Sequence, residues 1–127
     1  MDKRPKEIKT DKETRSRLAV ASSDGIVVNR HFGHADKFYI YELDNGLKLI
    51  EVRDVVPVCE AGNHDADKLR KNAEVISDCD YLLVSKIGDG AARVVESFGT
   101  DPYEIPGIIK ESVEELIKFI KLKALFE

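Results

Sequence analysis

The apolar pattern of this 127-residue chain changes period near residue 65, and that switch limits the available folds more than any other feature. Before it, short apolar runs end at turn signals, as strands do; after it, apolar residues recur at helical spacing. Residues 17–22 form an apolar run that stops at Ser23-Asp24-Gly25 and read as a first strand. Residues 26–28 are a brief extended piece. The run 38–43 carries apolar groups at successive positions, which predicts a strand covered on both faces. Asp44-Asn45-Gly46 then predicts a hairpin, because Asn-Gly accepts the positive φ of tight turns, with a return strand from Leu47 to about Val55.

Downstream, Asp65 is placed to cap a helix whose Ala66, Leu69, Ala73 and Ile76 share one face. Residues 80–85 are a strongly apolar strand. A second helix follows, with Ala91, Val94, Val95 and Phe98 aligned and Gly99 closing it. A last short strand is expected over 103–105. A final helix is expected to open with the capping-box pattern Ser112-Val113-Glu114-Glu115. Its stripe is Val113, Leu116, Ile117, Ile120 and Ala124. Three strands followed by α-β-α-β-α imply a single mixed sheet with helices packed on it.

Composition narrows the class further. Apolar residues at 43% and charged residues at 35% describe a globular protein with one core. No run approaches the ~20 apolar residues of a membrane helix, and no signal-peptide core follows the basic start. Two cysteines without an export signal place the chain in a reducing cytoplasm as free thiols. Residues 1–17 carry seven Lys/Arg and four Asp/Glu, so an overall charge of −4 leaves a distinctly acidic body. Nucleic acid is therefore not expected as a partner. Residues 1–16 read as a disordered, charged tail, and 17–127 as a single domain.

The three histidines are concentrated in two irregular stretches. His31 and His34 lie around Gly33 in Asn29-Arg30-His31-Phe32-Gly33-His34-Ala35; His64 shares a loop with Cys59. Imidazole carries protons or binds metals near neutral pH. Spacing alone leaves open whether His31 binds a metal or anion or packs beneath the sheet edge, and it favours packing. Cys59 and His64, five apart around Gly62, add a thiolate and an imidazole, a set suited to soft metals. No C-x-x-C pair is present, which argues against a closed structural zinc site. Cys79 precedes an apolar strand and reads as a small core residue. Gly88-Asp89-Gly90, between a strand and a helix, is a tight turn whose amides can also face an anion. Neither G-x-S-x-G nor H-E-x-x-H occurs.

In order along residues 17–122, these segments resemble the dinitrogenase iron–molybdenum cofactor biosynthesis family, comprising NifX-type proteins and the carboxy-terminal domain of NifB-type proteins. The matching pieces are Ala19 to Gly25 leading into Val28 to Ala35, then Phe38 to Glu42, Ser77 to Asp80, Val84 to Gly90, and Ser112 to Glu115. The resemblance implies a ribonuclease H-like α/β fold with a mixed five-stranded sheet and helices on its faces. It implies a non-catalytic carrier of an iron–sulfur or molybdenum-containing cluster, since catalysis in full NifB-type proteins lies in a radical-SAM domain that this sequence does not show. Its partners would be metallocofactor assembly proteins, with no membrane or nucleic acid, and the chain a monomer or weak homo-oligomer. By the same resemblance His31 is a cluster ligand and His34 its neighbour. Cys59 and His64 are further candidate ligands, and Arg30 and the Gly88 and Gly90 amides are donors that offset cluster charge. Two alternatives stand beside this reading. One is a metal-free interaction or regulatory module on the same fold. The other, a ribonuclease H-like nuclease, is disfavoured because the first strand contains no acid.

Overall fold

The computed structural model describes residues 16–44, 46–58 and 65–126. Along the chain run β1 (Ser16–Ala21), β2 (Val27–Val28), β3 (Lys37–Leu43), β4 (Leu47–Asp54), α1 (Ala66–Val75), β5 (Tyr81–Val84), α2 (Asp89–Ser97), β6 (Asp101–Glu104), β7 (Gly107–Ile108) and α3 (Ile109–Ala124). One turn of 3₁₀ helix, Phe32–His34, separates β2 from β3. The charged tail expected over 1–16 lies, apart from Ser16 in β1, outside the described residues. So does the loop holding Cys59 and His64.

Five strands form one mixed sheet in the order β4-β3-β1-β5-β6. β1 pairs antiparallel with β3 and parallel with β5, and β6 continues the parallel half. The switch of period in the sequence is thus the switch from hairpin to β-α-β connections. Because strand side chains alternate, each central strand feeds both faces. Ala19, Ala21, Phe38, Ile40, Leu82 and Val84 meet Ala73 and Ile76, and Val95 of α2, on one face. Leu18, Val20, Tyr41 and Leu83 meet Val113 and Leu116 of α3 on the other. β3 is covered on both sides, as its unbroken apolar run predicts.

α1 begins where expected. The Asp65 carboxylate accepts from the backbone N–H groups of Asp67 and Lys68, satisfying amides that the first helical turn leaves open. Gly99 follows α2 at φ +97°, a conformation that favours glycine.

Three expectations are corrected. The piece at 26–28 does not join the main sheet: β2 pairs antiparallel with β7 in a separate two-stranded ribbon. Consequently α3 starts at Ile109 rather than at Ser112. The Ile109 N–H donates to the Ile26 carbonyl at 2.8 Å, and Ser112 is buried within the helix instead of capping it. A tertiary strand pairing sets this helix start, overriding the local capping pattern. β6 likewise begins two residues early, at Asp101, because pairing with Tyr81 defines it. No helix among the described residues is long and apolar enough to cross a membrane.

Candidate functional site

The loop between β1 and β3 is built from its turn outward. Asp24 Oδ1 accepts from the N–H groups of Ile26 and Val27, and Ser22 Oγ accepts from Gly25 N–H. Those amides hold the Asp24 carboxyl below the ordinary carboxylate value. Gly25 sits at φ +78°, and a Cβ there would come within 2.8 Å of the Tyr39 ring, so the turn requires glycine. Ser23 and Asn29 exchange two hydrogen bonds across the loop, N–H to Oδ1 at 3.0 Å and Nδ2 to Oγ at 2.9 Å. The chain is thereby returned to the sheet. Arg30 N–H donates to Ala21 O, Ser85 N–H to Arg30 O, and Phe32 N–H to Lys86 O. Residues 30–32 take over the place beside β5 that β1 has vacated, and His31 and Lys86 form a parallel bridge.

Past that bridge the 3₁₀ turn begins. In this helix side chains three apart eclipse, so His31 and His34 stand on one side with ring centroids 5.7 Å apart. Both are exposed, whereas Phe32 between them is 1% exposed and stacks near Phe38 at 5.8 Å. The core thus anchors the turn through Phe32 and leaves the imidazoles outside. Two imidazoles sharing one ion at about 2 Å per metal–nitrogen bond place their centroids roughly 5–6 Å apart. The observed spacing suits a common ion or two adjacent atoms of a cluster.

These residues wall an open cavity of about 620 Å³. Its other sides come from Val58 in the β4–α1 connection, Ala66 and Leu69 of α1, Lys86, Ile87 and Gly88 between β5 and α2, and Gly90 and Ala91 in the first turn of α2. Each wall is fixed from behind. Asn72, buried, donates through Nδ2 to Val56 O at 2.7 Å, and Ile87 N–H donates to Glu104 Oε2 at 2.8 Å. The amino termini of α1 and α2 both open here. The first is capped by Asp65, while Gly88, which begins the second, brings no side-chain cap. The cavity also lies past the carboxyl ends of the parallel strands, where the sheet changes from antiparallel to parallel, the usual ligand position in open α/β sheets.

Of the residues singled out in the sequence, His31, His34, Gly88 and Gly90 therefore meet at one cavity. Arg30 does not line it. Its side chain is half-buried, with Nε enclosed and without a hydrogen-bond partner among the described residues. Cys59 and His64 lie outside the described residues, but Val58 and Asp65, their immediate neighbours, both line the cavity. Cys79 is buried in the core among Ile76 and Leu82, and burial pushes its thiol up to about 12, so it is no ligand. Among the described residues no three of His, Cys, Asp and Glu gather closely enough to hold an ion. Lys86 is the site residue that sequence reasoning missed. The only signal for it was its place directly after a strongly apolar strand, which does not by itself pair it with His31.

The chain is thus a mixed α/β domain that presents an imidazole pair over an open cavity. The chain belongs to the dinitrogenase iron–molybdenum cofactor family, whose model matches residues 14–121. It is 42% identical over 103 residues to the FeMo cofactor biosynthesis protein NifB of Frankia alni, covering 78% of this chain and 20% of that protein. With the NifB of Chlorobaculum tepidum it shares 35% over 124 residues, covering 94% and 28%. The chain thus spans between a fifth and three tenths of the length of these relatives. Among solved structures, the NMR structure of a Thermotoga protein, described as NifB-like and of the DUF35 family, superposes with a TM-score of 0.54 at 22% identity, covering 81% of this chain and 88% of that one.

Proposed function

We propose that this chain is a non-catalytic carrier that binds an iron–sulfur or molybdenum-containing cluster, or its precursor, during metallocofactor assembly and passes it to another assembly protein. The observation that carries this reading is the convergence of His31 and His34 on one open cavity, their rings 5.7 Å apart. A carrier must hold its cargo and also release it. Two exposed imidazoles on a short turn provide fewer and more yielding bonds than the closed four-ligand cage of a structural site. Cys59 and His64 follow and precede cavity-lining residues directly, which supports them as additional ligands. The family match and the names of the NifB relatives support iron–molybdenum cofactor assembly as the setting. The strand order β4-β3-β1-β5-β6, an antiparallel hairpin continued by two parallel strands, supports the ribonuclease H-like description of the fold.

The test is anaerobic reconstitution of the full chain with iron and sulfide, with and without molybdate, followed by desalting. A carrier retains visible charge-transfer absorption, and the double variant His31→Ala/His34→Ala loses it while keeping its thermal unfolding curve. A colourless, metal-free wild type overturns the proposal.

A further inference from the structure

We infer that Lys86 is a binding residue of this cavity and makes it selective for anionic, sulfide-bearing metal species over bare metal cations. The inference rests on the carrier reading and specifies the charge of what is carried.

Three observations support it. His31 and Lys86 are partners in a parallel bridge, and paired residues on neighbouring extended segments project to the same face of a sheet. Both line the same cavity. Among the described residues, Lys86 has no ion-pair or hydrogen-bond partner for its ammonium, although other basic groups such as Arg17 and Arg53 are paired. Among the described residues, the carboxylate that lines the cavity is that of Asp65, which accepts two backbone N–H groups from α1. An ammonium with no partner among the described residues thus lines the same cavity as the imidazole pair.

Such a neighbour acts oppositely on two kinds of cargo. A divalent ion reaching His31 is repelled by the ammonium. A metal carried within a sulfide shell presents negative charge outward and is attracted, with the strongly hydrated ammonium donating to its sulfurs. The remainder of the wall includes the apolar side chains of Ile87, Ala91 and Leu69, which offer the ammonium no hydrogen-bond acceptor.

The test compares two probes on the full chain under anaerobic conditions. Tetrathiomolybdate serves as the sulfide-bearing anion and Co²⁺ as the bare cation, each titrated by absorption. Wild type is expected to bind tetrathiomolybdate, and Lys86→Gln to weaken that binding about tenfold while holding Co²⁺ as well as or better than wild type. Lys86→Arg, which keeps the charge, stays within about twofold for both probes, as does Lys71→Gln on the exposed face of α1. Equal tetrathiomolybdate affinity in wild type and Lys86→Gln overturns the inference, as does a parallel loss of both probes or a wild type that binds only Co²⁺. Because iron–sulfide reconstitution is scored separately, retention of a cluster by a Lys86→Gln chain with unchanged tetrathiomolybdate binding would defeat this inference and leave the carrier reading standing.

Discussion

Two polar regions of this molecule treat charge in opposite ways. Around Asp78 the charges close on one another. Arg53 donates to both carboxylate oxygens, at 2.7 and 2.9 Å, and also to Glu51 and the Val75 carbonyl, while Arg17 donates to Asp78 at 3.0 Å. The Arg53 guanidinium holds the Asp78 carboxyl well below the usual carboxylate range, and Asp78 in turn raises Arg53. At the cavity, His31, His34 and Lys86 have no ion-pair partner among the described residues. The cluster fastens the β4 edge to the α1–β5 corner; the cavity leaves its charge and lone pairs available. Charge is paired where it fastens two elements of the fold, and is left unpaired among the described residues at the cavity.

Substitutions can break this contrast, beginning with the residue the cavity shares with the core. Phe32→Ala removes a fully buried ring and should cost about 3–5 kcal/mol of stability. Urea unfolding should show it, and cluster retention should fall with it because the turn loses its anchor. His31→Ala/His34→Ala should do the reverse. Cluster affinity drops by more than the ~10–100-fold expected for losing an outer-shell partner, while the unfolding midpoint barely moves. Arg53→Ala should lower stability by about 1–2 kcal/mol, since it removes charge-assisted bonds that are partly open to solvent. Its cluster and tetrathiomolybdate binding should match wild type; a large loss there would show the two regions to be coupled.

The smallest effect is on pH dependence. Asp78 has a depressed folded-state value, so its contribution is fully present above the ordinary carboxylate value of 3.8. It is lost as pH falls through the folded value, where the native carboxylate finally takes up its proton. Given the exposure of this pair, the effect amounts to less than ~1 kcal/mol. Urea midpoints measured from pH 6 down to pH 2 should therefore fall less steeply in Asp78→Asn than in wild type.

The sequence revealed what is local. The Asn-Gly turn predicted the β3–β4 hairpin, Asp65 predicted the start of α1, and the 3.6-residue stripes predicted the buried face of each helix except at Ala66 and Ala124, which are exposed, because each signal lies within a few residues of what it specifies. The i, i+3 spacing of His31 and His34 was legible for the same reason. Long-range pairings were not. Val27 with Ile108 and His31 with Lys86 are juxtapositions made by the sheet, and neither partner's neighbours in sequence announce the other. The Ser112 pattern misled for a related reason: the chain was already helical when it reached that serine.

The β2–β7 ribbon also governs timing. It sits immediately before the residues that carry His31 back to the sheet, yet it closes only when Val27 meets Ile108 across most of the chain. Closing so long a loop costs entropy that short-range contacts cannot offset early, so this joint forms late. The imidazole turn is held by this ribbon on one side and by the bridge to Lys86 on the other. A chain cut short before Gly107 lacks the strand that pairs with Val27 and Val28, and with it one of the two fastenings of the imidazole turn.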